Sequence, residues 1–203
     1  MTGCACELDE AAELERQTLR VLVAINAVMF LVELIAGWVS ESTGLLADSL
    51  DMFADASVYG IVLYAAGRAG GVKLKAASLS GVVQIVLGLG VLVEVVRRLW
   101  LGSEPISLFM IGIGLVAFVA NLTCVWLIAK HRDGEIHMRA AWIFSANDAL
   151  ANLGVIVSGG LVLLLGSRLP DLVVGAAISA VVIWGGIRIL REAREEGARA
   201  VRV

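Results

Sequence analysis

Three aspartates, Asp48, Asp51 and Asp55, interrupt the otherwise apolar segment GLLADSLDMFADASVYGIVLYAAG. At about 100° of rotation per residue, this spacing places all three in one narrow stripe along a helix. Asp51 and Asp55 are four residues apart, so their side chains lie roughly 5 to 6 Å from each other. The spacing therefore allows both carboxylates to bind one divalent cation, as paired histidines on a helix bind zinc.

A second polar patch lies in the apolar segment AAWIFSANDALANLGVIVSGGLVLLLG. Two such patches at similar depth in separate helices predict one shared site, with Asp51, Asp55 and Asp148 as metal ligands. The weaker candidates, as ligands or as hydrogen-bonding neighbours, are Asn147, Asn152, Asp48 and Ser145. Without a bound cation, the carboxylates of such a cluster would repel one another and take up protons, because burial and like charge both favour the neutral form.

The elements that position these residues are membrane-spanning helices. The chain has 203 residues, of which 59% are hydrophobic and 17% charged, and a spanning helix needs roughly 20 mostly apolar residues. Six such stretches are present, at 20–39, 44–67, 76–96, 107–129, 140–166 and 170–190. We predict an all-α integral membrane protein, a six-transmembrane-helix bundle over 20–192, with a leader at 1–19 and a tail at 193–203.

Orientation follows from the basic residues, because cytoplasmic connectors retain Lys and Arg. Placing both termini in the cytoplasm puts 13 of the 16 basic residues inside and leaves Arg97, Arg98 and Arg168 outside. We expect a multi-pass protein of a bacterial inner membrane, without a basic groove for nucleic acid.

Each acid also has a purely structural interpretation. The aspartates of the second segment could pair with Lys or Arg inside the bundle, although the basic residues lie almost wholly in connectors. Asp148 could hydrogen-bond with Asn147 or Asn152. Glu33 in the first segment could line the same interior as the aspartates, or pair within the bundle for packing.

Two motifs carry a family resemblance. GLLADSLDMFADA resembles the second helix of the cation diffusion facilitator family, and NDALANLGVIVSG resembles its fifth. The resemblance implies a transporter, not an enzyme, that exports zinc or a related divalent metal in exchange for protons and forms a homodimer in the lipid bilayer. It implies no cofactor, since the metal is the transported ion.

The family's metal site joins two ligands on the second helix to a histidine and an aspartate, four residues apart, on the fifth. These positions fall on Asp51, Asp55, Phe144 and Asp148. A benzyl ring cannot bind a metal, so the fourth ligand stays open among Asn147, Asn152, Ser145 and water. An oxygen-rich site favours manganese or iron(II), whereas the resemblance favours zinc, with cadmium and cobalt as further candidates.

The ends of the chain carry the remaining expectations. REAREEGARAVRV follows the sixth segment where the family has a soluble metal-binding domain, so we expect any dimer to form through the membrane helices. Cys4 and Cys6 could capture metal at the cytoplasmic entrance or belong to a disordered tail. His131 and His137 could assist entry or lie in a solvated loop.

Three other classes of protein remain open. A passive divalent cation channel would use the carboxylates as a selectivity ring. An intramembrane aspartyl hydrolase would need a G-x-G-D element, which the sequence lacks. A structural subunit would give no reason for the acid stripe. We therefore predict alternating access in which metal and protons compete for the same carboxylate oxygens.

Overall fold

The computed structural model describes residues 3–65, 70–129 and 136–200, with side chains at 16–61, 63–64, 74–129, 147–195 and 197–198. Within these ranges the chain forms six helices and no strand. The helices are α1 (Gly3–Val39), α2 (Thr43–Ala65), α3 (Gly70–Leu101), α4 (Ser107–Ala129), α5 (Ile136–Leu165) and α6 (Leu169–Ala200).

Every predicted apolar segment lies within or largely within one helix, but several helices continue past it. The α4 helix coincides with the predicted 107–129, whereas α6 continues from the predicted end at 190 to Ala200. The continuation is stabilised in part by a salt bridge between Arg188 and Glu192, four residues apart on the exposed surface. Likewise α1 begins at Gly3. From that residue onward the leader is helical and is not a disordered tail.

Five of the six described helices are long and apolar enough to cross a membrane. The sixth helix, α2, carries three aspartates. Its 23 residues still extend about 34 Å, which exceeds the roughly 30 Å of a bilayer core. Large apolar side chains such as Trp100 and Leu164 are 80% and 81% exposed, as expected for a surface that contacts lipid.

Glycines permit the closest helix crossings in the bundle. A Cβ atom on Gly81 of α3 would lie 2.9 Å from the Gly186 carbonyl oxygen of α6, and one on Gly186 would lie 2.8 Å from the Gly81 carbonyl oxygen. A Cβ atom on Gly37 of α1 would lie 2.8 Å from the Leu46 amide of α2. Small residues of this kind bring helix backbones together in lipid.

The first turn of α2 is tied to α6 by Asp171. This fully buried carboxylate accepts hydrogen bonds from the backbone amides of Thr43 (2.7 Å) and Gly44 (3.0 Å). It also accepts them from the hydroxyls of Ser42 (2.6 Å) and Thr43 (2.8 Å). Because the first amides of a helix have no partner within the helix, Asp171 supplies a cap for α2 from a neighbouring helix.

Candidate metal site

The three aspartates of α2 lie along its interior face, as their spacing predicts. Asp48 is fully buried and Asp55 is 7% exposed, while Asp51 is partly accessible. The helix itself is set by the Ser42 N-cap, whose hydroxyl oxygen accepts from the Leu45 amide at 3.1 Å. The stripe therefore begins one turn inside a well-anchored helix end.

Helix α5 brings Asp148 to the same interior. Asp148 is 7% exposed, and its carboxyl group lies close enough to that of Asp55 to interact with it directly across the α2–α5 contact. Two ionised carboxylates this close repel each other. The Tyr59 hydroxyl donates to Asp55 Oδ2 at 2.7 Å, whereas Asp148 Oδ2 has no partner. A proton or a cation between the two helices would relieve that repulsion.

Asp51 lies within electrostatic range of both Asp55 and Asp148. Still, across the described side chains, no three histidine, cysteine, aspartate or glutamate residues are assembled closely enough to hold a metal ion. The arrangement is a contacting pair, Asp55 and Asp148, with Asp51 one turn away.

No described basic side chain pairs with these aspartates. The ion pairs in that part of the chain join Glu94 to Arg97 and Arg98, and Arg188 to Glu192. Arg97 and Arg98 lie in the last turns of α3, where the sequence predicted a connector, because α3 continues to Leu101. Arg98 is 3% exposed, and its guanidinium donates to Glu94 at 2.6 Å.

Two further acids extend the polar interior toward the turn between α1 and α2. Glu33 of α1 and Asp48 of α2 have no exposed surface, and none of their four carboxyl oxygens has a hydrogen-bond partner. Glu33 interacts electrostatically with Asp48 and Asp51. Buried carboxyl groups without partners are costly, so this pair indicates an interior built to receive cations or protons.

The weaker candidates of the sequence differ in placement. Asn152 is buried; its amide donates to the Asp148 backbone oxygen at 2.6 Å, and its Oδ1 has no partner. Asn147 is exposed, so the structure does not bring its side chain to the buried acids. The side chains of the remaining sequence candidates lie outside the described residues: Phe144, Ser145, Cys4, Cys6, His131 and His137.

Sequence reasoning missed three polar groups: Tyr59, Asn121 and Cys124. Tyr59 donates to Asp55, and Asn121 and Cys124 are fully buried in α4. A signal was present, because an asparagine within an apolar spanning helix is costly and usually faces the bundle interior.

Ionisable residues within membrane helices usually face the bundle interior and mark ion pathways. The comparison with protein families agrees. Residues 19–196 match the family model described as the cation efflux transmembrane domain. The chain therefore belongs to the cation efflux family and is a multi-pass membrane protein.

Curated relatives cover most of this chain. The zinc transporter ZitB of Yersinia pseudotuberculosis serotype I (strain IP32953) is 25% identical over 88% of this chain and 61% of its own length. ZitB of Escherichia coli (strain K12) is 24% identical over 85% of this chain and 59% of its own. The cadmium, cobalt and zinc/H(+)-K(+) antiporter of Bacillus subtilis (strain 168) is 22% identical, over 80% and 57%. The chain thus spans about three fifths of the length of these relatives.

Proposed function

We propose that this protein exports a divalent metal cation, with zinc as the principal substrate, in exchange for protons. The observation that carries the proposal is the Asp55–Asp148 carboxyl pair, which joins α2 to α5 inside the bundle without a described basic partner. A divalent cation that replaces a proton shared by this pair would bind Asp51, Asp55 and Asp148. Metal and proton are then alternative occupants of the same oxygens.

The proposed route crosses the bundle along its acids. Asp51 is the partly accessible member, and Asp48 with Glu33 continues the acid series toward the turn at 40–42. Alternating access requires α2 and α5 to move relative to each other, so that the ion is exposed first to one side and then to the other. A homodimer is proposed on family grounds alone.

The substrate proposal rests on the relatives and on the ligand set. The relatives' names give zinc, cadmium and cobalt, and three carboxylates supply hard oxygen ligands that also suit manganese and iron(II). Zinc is placed first because it appears in the names of all three relatives described above.

Replacing Asp51 or Asp148 with asparagine should abolish transport. Asp51→Asn or Asp148→Asn keeps the side-chain volume but removes the negative charge that the cation requires, so zinc flux into proteoliposomes should fall to the background of empty vesicles. The same variants should abolish the zinc-driven pH change inside the vesicles. A fluorescent zinc indicator and a pH indicator, both sealed inside, measure the two quantities.

The matched control is Glu192→Gln, which removes a carboxylate that is exposed on α6 and should leave both signals unchanged. Wild-type flux in the Asp148 variant would reject the site. Zinc flux in the wild-type protein without any coupled pH change would reject antiport and favour a passive channel.

A further inference from the structure

A layer of buried amides and one thiol lies beside Asp55, and the proposed transport cycle does not use it. Asn26 belongs to α1, and Asn121 and Cys124 belong to α4. All three side chains have no exposed surface. They lie within segments apolar enough to span a membrane, where a polar side chain needs a partner.

The packing of apolar neighbours places these residues at one depth. Met29, Met52 and Ala117 form one contact cluster from α1, α2 and α4. Leu22, Tyr59 and Cys124 belong to a second cluster from the same three helices. Between the two clusters, three or four residues from a member of each, lie Asn26, Asp55 and Asn121. Because residues at this spacing share a helix face, Asn26, Asp55 and Asn121 lie at one depth in the bundle. Cys124 lies about one helical turn from Asn121 on the same face of α4.

Asn26 and Cys124 contact each other, and several polar atoms of this layer have no hydrogen-bond partner. The Asn26 amide nitrogen lies 3.9 Å from Cys124 Sγ and donates to the Leu22 backbone oxygen at 2.9 Å. Asp55 lies within electrostatic range of the thiol. The Oδ1 atoms of Asn26 and Asn121 and the amide nitrogen of Asn121 have no hydrogen-bond partner. Buried polar atoms are rarely left unpaired, and amide oxygens are common cation ligands.

We propose that this layer is a second cation position, which shares Asp55 with the three-aspartate site and uses Cys124 as its soft ligand. The proposal rests on the function proposed above. The donors are a carboxylate oxygen of Asp55, the Cys124 sulfur and the side-chain oxygens of Asn26 and Asn121. The thiol releases its proton when the ion binds. A thiolate ligand favours zinc and cadmium over manganese and magnesium, so this position selects soft ions.

Cadmium binding to a protein with one thiol tests the proposal. The double variant Cys4→Ser/Cys6→Ser retains Cys124 as its single cysteine. Titrating it with cadmium in detergent should produce the ultraviolet charge-transfer band of a cadmium–thiolate bond. The band should be lost in the additional variant Cys124→Ser, which is nearly isosteric, and weakened by Asp55→Asn. Manganese should not displace the cadmium from the thiolate.

A second comparison uses two buried amide side chains, one in the layer and one outside it as its control. Asn121→Leu should shift the cadmium titration of the band to higher concentration, whereas Gln84→Leu should not. Gln84 is an equally buried amide on α3, 2% exposed, with an unpartnered Nε2. Size-exclusion chromatography shows whether each variant is folded.

The two proposals fail differently. If calorimetry shows cadmium bound to the single-thiol protein and no thiolate band appears, the second position is wrong and the aspartate site stands. An equal loss of affinity in the Asn121 and Gln84 variants, with both folded, would also overturn the second position. If calorimetry shows that neither zinc nor cadmium binds the wild-type protein, both proposals fail.

Discussion

At the scale of single residues, the central feature is a pair of carboxyl groups that lie close to each other on different helices. Asp55 and Asp148 interact directly, and a proton shared by the pair would have to leave before a metal ion could bind, because a metal ion requires ionised carboxylates. In the proposed exchange, metal binding therefore releases a proton. The coupling between the two ions would then follow from the carboxylate oxygens that they share.

Tyr59 orients the shared ligand. Its hydroxyl donates to Asp55 Oδ2 at 2.7 Å, which directs the other oxygen of Asp55 toward the interior. Tyr59→Phe removes this donor and should weaken zinc affinity about tenfold to a hundredfold, the usual cost of losing a group that orients a metal ligand. Calorimetry on the purified variant measures the change.

The control for this prediction is Tyr64→Phe, on the same helix but 48% exposed. It should bind zinc as the wild-type protein does. If Tyr59→Phe also retained wild-type affinity, Asp55 would be oriented by other contacts and the role assigned to Tyr59 would be wrong.

At the scale of helices, the α3–α6 contact depends on two glycines that face each other. The Gly81 and Gly186 backbones approach so closely that a methyl group on either would lie within 3 Å of the other's carbonyl oxygen. The opposing group is backbone, which cannot rotate away as a side chain would. The contact thus has no room for a larger residue.

Gly185 and Gly186 are adjacent on α6, so a pair of alanine variants can test this contact. Gly186→Ala should destabilise the protein by about 1 to 3 kcal/mol, the usual cost of overpacking. Gly185→Ala should be neutral or slightly stabilising, because a Cβ there meets nothing within 4 Å and alanine is the better helix former. Thermal unfolding in detergent compares the two. Equal melting temperatures would show that α3 and α6 are not packed through Gly186.

At the scale of the whole molecule, the bundle has two ends with different chemistry. The turns at 40–42, 102–106 and 166–168 lie at one end. The basic residues of α6, including Arg188, Arg191 and Arg194, follow its apolar part toward the other end. The excess of Lys and Arg predicts that the second end faces the cytoplasm.

Thiol labelling in intact cells tests this orientation. In a protein whose three cysteines are replaced by serine, Glu104→Cys should react with a membrane-impermeant reagent from outside, because Glu104 lies in an exposed outer turn. Arg194→Cys, also exposed, should react only after the membrane is permeabilised. The reverse pattern would invert the proposed direction of transport.

Most of the fold could be predicted from composition, because lipid demands long apolar helices and the aspartates stand out against them. The ends of α1, α3 and α6 could not, since hydropathy marks only the part of a helix that crosses lipid. The Asp171 cap and the contact between Asn26 and Cys124 also escaped prediction. Each depends on which helices are neighbours, and the spacing within one helix carries no such information.

Asp171 also constrains how α2 could move. Its four hydrogen bonds hold the first turn of α2 against α6, so we expect that turn to act as the pivot of any tilt of α2. Asp55 lies twelve residues farther along, about 18 Å down the helix axis. A tilt of roughly 10° of α2 about its first turn would displace Asp55 by about 3 Å. That displacement is comparable to the length of a hydrogen bond. A small tilt of α2 about its first turn would therefore be enough to separate Asp55 from Asp148.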